Sequence, residues 1–250
     1  MTCQIGHEAK VEARGTWTEK DFPTWPFEVQ YNASGYGPYP FWAGPGPSGS
    51  LTGKGADITT YYSAVQNAER LDHASCSIAS LGASADGPCT HLFVNGSWAF
   101  VYSKDESFCC MSSAPAQYTA CHLTRPQRNF MDVMDYNGII DYTSEDGLFT
   151  KVKAKKWSMH LTTPSDFFFW YLTDLDGKPM EQGEGPCDMY AEDGTRNCAG
   201  PPKMLFHQYH TASFQETTFD ASTFTVPDVC LDAKKRTYCM VSPTNFCGGR

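Results

Sequence analysis

Cysteine is the residue type in this sequence that offers the most chemistry. Eleven cysteines occur among the 250 residues, at Cys3, Cys76, Cys89, Cys109, Cys110, Cys121, Cys187, Cys198, Cys230, Cys239 and Cys247. Their spacing is irregular, and no two of them form the C-x-x-C pair of zinc knuckles and dithiol redox sites. The sequence therefore predicts disulfides that form in an oxidising compartment.

The pairing of these cysteines is only partly predictable. About five disulfides are expected, and the odd cysteine is either free or bonded to another chain. Cys187 and Cys198 should pair, because a loop of about a dozen residues closes at small entropic cost. Cys109 and Cys110 should bond to different partners, because adjacent cysteines rarely meet disulfide geometry. The remaining pairings are open.

Two glycine-containing segments resemble ligand-binding loops without completing them. Residues 49–55 have only three residues between the first two glycines, and Gly55 stands where a phosphate loop needs Ser or Thr. Asp174, Asp176 and Gly177 begin like a calcium loop but lack its remaining ligands, so they predict a turn.

The histidines likewise do not indicate a catalytic or metal centre. His207 and His210 are three residues apart near a predicted strand, and on a strand this spacing would place them on opposite faces of a sheet. His91 lies in a predicted hairpin and is interpreted as a structural hydrogen-bonding residue. No catalytic residue, metal site or cofactor is therefore expected, and the chain is not expected to be an enzyme.

The sequons and the net charge indicate the cellular compartment and restrict the classes of partner that are expected. Asn32 and Asn95 each begin an N-x-[ST] sequon, which agrees with a secreted or lumenal glycoprotein. The net charge of −9 argues against nucleic acid as a partner, because a phosphate backbone requires a basic face. No apolar stretch reaches the roughly 20 residues that span a bilayer, so no transmembrane segment is expected.

The elements that position these residues are predicted to be mainly β-strands. Two β-prone runs around Asn95-Gly96 predict a hairpin, since Asn-Gly favours a type I′ turn. The same reasoning predicts a second hairpin around Asn137-Gly138. Further strands are predicted over residues 148–157, 167–172 and 204–209, and a long loop over 179–202. The fold class is a mainly antiparallel sheet with long disulfide-bonded loops and few short helices.

Residues 1–50 are predicted to form an arm and linker outside this sheet, with the body at 51–250. Aromatic side chains are dense between Trp17 and Trp42, and closely spaced prolines disfavour both helix and central strand. So many aromatic groups need a surface to cover them, either the chain's own body or another protein. The docking residues expected in this arm are Trp17, Trp25, Phe27, Tyr36, Tyr39, Phe41 and Trp42.

The body contains a series of short motifs in a characteristic order. They are Tyr61-Tyr62, Arg70-Leu71-Asp72, the run from Pro88 to Leu92, Cys109-Cys110, Cys121, Tyr136-Asn137-Gly138, Lys156-Trp157, the aromatic run from Phe167 to Tyr171, Gly177-Lys178-Pro179 and the closing run from Phe224 to Cys230. Residues 58–247 resemble ependymin-related secreted proteins, whose fold is similar to the LolA/LolB lipoprotein carriers. The resemblance implies a strongly curved half-barrel with a hydrophobic cavity for a lipid-like molecule.

Two functions therefore compete. The first is a carrier with a concave cavity, lined by Phe93, Trp98, Phe100, Trp157, Phe168, Trp170 and Phe206. The second is a structural glycoprotein subunit that docks into an extracellular or lumenal assembly through its aromatic arm. A carbohydrate-binding module is a third option, because exposed Trp and Tyr can stack on sugars.

Overall fold

The chain folds into one open, curved β-sheet. The computed structural model describes residues 28–36, 56–76, 83–84, 87–94, 98–111, 134–144, 147–161, 167–185 and 205–239, which contain 13 strands. These strands are β1 (Glu28–Tyr36), β2 (Ala56–Ser63), β3 (Ala68–Cys76), β4 (Gly87–Val94), β5 (Trp98–Ser103), β6 (Cys109–Met111), β7 (Asp135–Tyr142), β8 (Val152–Leu161), β9 (Phe167–Thr173), β10 (Pro179–Gly185), β11 (Leu205–Tyr209), β12 (Gln215–Glu216) and β13 (Thr237–Tyr238). A short α-helix spans Asp228–Leu231, and 3₁₀ turns span Thr211–Ser213 and Ala221–Phe224. The predicted mainly β fold is confirmed.

The strand order shows how the sheet is built. It runs β13-β6-β5-β4-β3-β2-β1-β11-β10-β9-β8-β7, with β12 attached to β1. All neighbouring pairs are antiparallel except β13 and β6. Most neighbours in space are neighbours in sequence, so the sheet is two meanders that meet where β1 pairs with β11.

The strand β1 corrects the predicted boundary of the arm. Residues 28–36 lie between β2 and β11, in the middle of the sheet, and bury Val29, Tyr31 and Ala33. The reason is local, because this segment is the proline-free stretch between Pro26 and Pro38 and can therefore donate its full ladder of hydrogen bonds. The expected docking residue Tyr36 is the last residue of β1.

The two Asn-Gly dipeptides have different outcomes. The first lies between β4 and β5, which pair from Val94 with Trp98 onward, so the hairpin is confirmed. The second lies inside β7, which continues through it with a register shift between Tyr136 and Gly138. Gly138 has a φ of +93°, a conformation that glycine adopts at no steric cost. The prediction of a hairpin there was wrong, because the dipeptide forms a β-bulge.

Two further predictions concern the segment after β9. The turn at Asp174–Gly177 is confirmed, with the backbone N–H of Gly177 donating to the carbonyl of Asp174 at 3.2 Å. The Asp174 carboxylate accepts from the backbone N–H groups of Asp176 and Lys178. The long loop predicted from residue 179 was wrong at its start, because Pro179–Gly185 forms β10.

The sheet buries side chains on both faces. One face, which we call the histidine face, carries apolar residues of β1 to β4 and β11 and a second group on β8 and β9. These are Val29, Tyr31, Ala33, Ile58, Tyr62, Leu71, Phe93 and Tyr209, and then Trp157 and Tyr171. The opposite face carries one cluster over β3 to β6 and another over β7 to β10, including Leu92, Phe100, Tyr102, Met111, Ile140, Tyr142, Trp170 and Leu172.

The C-terminal segment covers part of the opposite face and is held there by disulfides. Phe224 and Cys230 join the cluster over β3 to β6. Cys109 bonds to Cys230 and Cys110 bonds to Cys239, which confirms that the adjacent cysteines have different partners. A third disulfide joins Cys76 and Cys89. The remaining cysteines, Cys3, Cys121, Cys187, Cys198 and Cys247, lie outside the described residues.

Candidate functional site

A row of polar side chains crosses the histidine face at the centre of the sheet. On β3, Glu69 and His73 alternate with Leu71, so all three share this face. His91 on β4 pairs directly with Leu71. His207 and Tyr209 reach the same face from β11, because Tyr209 pairs with Ala33. Each of these five polar residues is at most 5% exposed.

Strand register explains why residues distant in sequence meet here. Cys89 pairs with His73, His73 with Ile58, Ile58 with Ala33, and Ala33 with Tyr209. Directly paired residues project to the same side of a sheet, so this row runs across five strands. The imidazole centroids of His73 and His91 are 4.5 Å apart, with the rings tilted by 40°.

The curvature of the sheet brings the two ends of this row together. His91 and His207 lie on β4 and β11, four strand spacings apart. A flat sheet would separate their strands by about 19 Å, from a spacing of about 4.8 Å. His207 is nevertheless close enough to lower the pKa of His91. The sheet therefore bends toward the histidine face, which is concave over these strands.

Burial keeps the three rings neutral. Desolvation, followed by the nearby rings of His91 and His207, holds the pKa of His73 well below its ordinary value. Desolvation first, and then His207, lowers the pKa of His91 to about 3. Desolvation alone lowers the pKa of His207 to about 4. At neutral pH each ring therefore has one N–H donor and one nitrogen acceptor.

The face has hydrogen-bonding capacity that the described part of the chain does not use. Neither ring nitrogen of His73 has a hydrogen-bond partner among the described residues, although both are buried. Leaving such a group unsatisfied costs about 1–3 kcal/mol, and native structures rarely accept this cost without a ligand, water or ion. The carboxylate oxygens of Glu69 and the hydroxyl of Tyr209 are buried on the same face.

Sulfur ligands lie beside the histidines. The sulfur atoms of Cys76 and Cys89 and a ring nitrogen of His91 all lie within 4.8 Å of one another. All three residues are buried. In the oxidised chain the two sulfurs form a disulfide.

The opposite face has a polar network with a different character. The Glu181 carboxylate accepts hydrogen bonds from the Tyr142 hydroxyl and the Trp170 indole N–H, each at 2.7 Å. The Gln208 amide donates to the Tyr142 hydroxyl at 2.9 Å. Because these groups already bond to one another inside an apolar cluster, we interpret them as a structural network.

The seven residues predicted to line a cavity do not share a face. Phe93 and Trp157 lie on the histidine face. Phe100 and Trp170 lie in clusters on the opposite face. Phe168 is two residues from Trp170 on β9 and shares its face. Trp98 pairs with Val94, and Phe206 pairs with Tyr36 and Gly183, but their side chains lie outside the described part.

The other predicted site residues are distributed as follows. Asn32 is exposed on β1, and its side-chain oxygen accepts a hydrogen bond from the Thr59 hydroxyl. Asn95 and the arm residues Trp17, Trp25, Phe27, Tyr39, Phe41 and Trp42 lie outside the described residues. His207 and His210 lie on opposite faces, as predicted, because the His210 ring bonds to Ser34 at 2.9 Å.

Sequence reasoning missed Glu69 and His73. The signal was present in the alternation of Glu69, Leu71 and His73, which is typical of a single strand face. Glu69 and His73 flank the family-like motif Arg70-Leu71-Asp72, and the interpretation of that motif did not include them. The side chains of Arg70 and Asp72 form a 2.9 Å ion pair on the opposite face.

Comparisons with known proteins leave the chain without a family assignment. No protein-family model and no curated protein matches it. Among solved structures, it is similar to an uncharacterized conserved protein from Thermus thermophilus, with a TM-score of 0.44 and 8% identity. The match covers 85% of this chain and 91% of that chain. The resemblance to ependymin-related proteins therefore stays a prediction from the motifs. In the part of the chain that is described, no helix has the length and apolar character needed to cross a membrane.

Proposed function

We propose that this chain is a non-enzymatic binding protein of an oxidising extracellular or lumenal compartment. It holds an apolar small molecule that carries an uncharged polar group against the histidine face. The observation that carries this proposal is the row of buried polar side chains, Glu69, His73, His91, His207 and Tyr209, within a concave face whose other described residues are mostly apolar. Apolar surfaces with a few convergent polar groups are the usual form of small-molecule sites.

The chemistry of the row indicates the class of ligand. Neutral imidazoles both donate and accept hydrogen bonds, as a hydroxyl group does. An anionic head group would meet the acidic side chain of Glu69 on the same face, in surroundings where an unpaired charge is costly. A long-chain alcohol or another hydroxylated lipid therefore suits this face better than a fatty acid. The three disulfides support the proposed compartment.

The test uses the oxidised full-length chain, produced by secretion, and a fluorescent long-chain alcohol. Glu69→Gln and His207→Gln should each weaken binding about tenfold, the equivalent of one buried hydrogen bond of about 1.4 kcal/mol. Glu216→Gln and His160→Gln are matched controls, because both residues are exposed. Their affinities should equal that of the parent protein.

Two results would overturn the proposal. The first is that the folded protein neither binds the alcohol nor retains an apolar mass in native mass spectrometry. The second is that all four variants bind the alcohol equally. Tighter binding of the matching fatty acid would keep the site but reject the uncharged ligand.

The assembly subunit remains a prediction. Its docking residues lie outside the described residues, except for Tyr36 at the end of β1. Because β1 is integral to the sheet, docking of a neighbour would depend on the aromatic residues on either side of it.

A further inference from the structure

We propose that His73, Cys76, Cys89 and His91 form a zinc site when the Cys76–Cys89 disulfide is reduced. The site lies at one end of the histidine face, on the adjacent strands β3 and β4. It shares His73 and His91 with the proposed lipid site, which rests on the proposed function, but it adds two sulfur ligands and differs in its bound species and in the redox state that it requires.

Three of the four ligands are already close together. The sulfurs of Cys76 and Cys89 and a ring nitrogen of His91 lie within 4.8 Å of one another. Ligand atoms around a tetrahedral zinc are about 3.3–3.8 Å apart, from bonds of about 2.0–2.3 Å. Closure of the coordination sphere requires the His91 nitrogen to move about 1 Å nearer to the sulfurs, and the two bonded sulfurs to separate to about 3.8 Å. Side-chain rotation can supply these shifts once the sulfur–sulfur bond is broken.

His73 is in position to supply the fourth ligand. It pairs directly with Cys89 across the two strands, and its ring centroid is 4.5 Å from that of His91. Neither of its buried nitrogens has a hydrogen-bond partner among the described residues. A metal would use one of these nitrogens and so remove part of the cost of burying the ring.

The spacing of the ligands also suits zinc. They read His-x₂-Cys on β3 and Cys-x-His on β4, so each strand supplies one thiolate and one imidazole. Two sulfurs and two nitrogens make the Cys₂His₂ set of structural zinc sites. Soft thiolate ligands disfavour calcium and magnesium, which take oxygen ligands.

The redox step balances with a dithiol as reductant. The dithiol transfers two electrons and two protons to the disulfide, which yields two cysteine thiols and the oxidised, cyclic form of the dithiol. Zinc then binds both thiolates, and the two thiol protons pass to solvent. An oxidised dithiol takes two electrons from the two thiolates and two protons from solvent, so the Cys76–Cys89 disulfide forms again and the ion is released.

The test measures metal binding before and after reduction. The full-length protein is reduced with a dithiol, exchanged into reductant-free buffer without oxygen, and titrated with Co²⁺ as a spectroscopic substitute for zinc. The reduced protein should bind one Co²⁺ with the visible bands of a tetrahedral thiolate complex. Zinc should displace it, and the oxidised protein should give no such bands.

Variants assign the signal to these four residues. His91→Gln and His73→Gln leave the cysteines intact and should weaken Co²⁺ binding at least tenfold. Cys76→Ser with Cys89→Ser should abolish the thiolate bands. Cys109→Ser with Cys230→Ser is the matched control, because it removes two thiols of the reduced protein outside the site, and it should retain the bands.

Alkylation of partly reduced protein provides a second measurement that does not depend on complete reduction. Zinc should slow alkylation of Cys76 and Cys89 in the parent protein but not in His91→Gln. Equal protection in both proteins, or no metal binding by reduced protein, would overturn the proposal. Because lipid binding is measured on the oxidised protein, either proposal can fail without the other.

Discussion

Protonation of the three buried histidines costs the folded chain free energy, whereas protonation of an ordinary surface histidine does not. His73, His91 and His207 are held neutral by desolvation on a concave face, where a charged ring would be poorly solvated. At the scale of the residue, this is the property that suits the row to hydrogen bonding with an uncharged group. It also links the stability of the fold to pH.

The free energy of unfolding should decrease as the pH falls below 6.5. In the folded chain the pKa of His91 is about 3 and that of His207 about 4, against an ordinary value of 6.5. Above pH 6.5 neither state is protonated, so the stability is complete. Between pH 6.5 and 4 these histidines bind protons in the unfolded chain, whereas their buried rings in the folded chain do not. Each histidine then lowers the stability by about 1.4 kcal/mol per pH unit.

Urea unfolding at pH 7.5, 6 and 5 measures this effect. His207→Gln should reduce the slope of stability against pH by one histidine's share. A stability that is constant from pH 6.5 to 5 would contradict the argument that these rings stay neutral.

At the scale of the element, β1 determines whether the two meanders form one sheet. It pairs with β2 from Glu28 to Gly35 and with β11 from Ala33 to Tyr36. Its side chain Tyr31 stacks on Phe214 at 4.7 Å and meets the edge of Tyr209 at 5.6 Å. The strand pairing and the ring contacts together join β1 to β2 on one side and to β11 and the segment after it on the other.

Tyr31→Ala should lower the free energy of unfolding by about 3–5 kcal/mol, as expected when a buried aromatic ring is removed. Gln30→Ala is the matched control, because Gln30 is the neighbouring residue and its half-buried side chain lies on the opposite face. Its cost should stay below about 1 kcal/mol. Chemical denaturation of both variants gives the comparison. Equal costs would mean that the strand contributes little to the core.

At the scale of the whole molecule, disulfides attach the C-terminal segment to the sheet. Cys109–Cys230 and Cys110–Cys239 join residues that are 121 and 129 positions apart. Phe219 and Phe224 then pack over the opposite face, and the Gln66 amide donates to the Phe219 carbonyl at 2.9 Å. The segment covers apolar side chains that the sheet would otherwise expose.

Removal of the two long-range disulfides together should cost more than removal of the short one. The loop-entropy argument gives about 4.7 kcal/mol for a loop of about 100 residues and about 3 kcal/mol for about 15. Cys109–Cys230 and Cys110–Cys239 close nearly the same loop, so the effect requires that both are removed. Replacement of all four of these cysteines by Ala should therefore destabilise the chain more than Cys76→Ala with Cys89→Ala, whose residues are 13 positions apart. Thermal unfolding ranks the two variants. Limited proteolysis should cut the C-terminal segment faster only in the first, and the reverse order would contradict this role.

Local pattern alone determined several features of this protein. Alternation and turn chemistry predicted the mainly β fold, the hairpin of β4 and β5 and the turn at Gly177, because these depend on residues close in sequence. The geometry of adjacent cysteines likewise predicted that Cys109 and Cys110 would have different partners.

Only the tertiary structure decided which residues meet. A single-residue change of register moves a side chain to the other face of the sheet. The sequence alone therefore could not predict that Phe93 and Trp170 lie on different faces. Asn137-Gly138 forms a bulge and not a hairpin turn because β8 pairs with the residues before and after this dipeptide. His73, His91 and His207 come from three strands distant in sequence, and they share one concave surface only because strand pairing and curvature bring β3, β4 and β11 together.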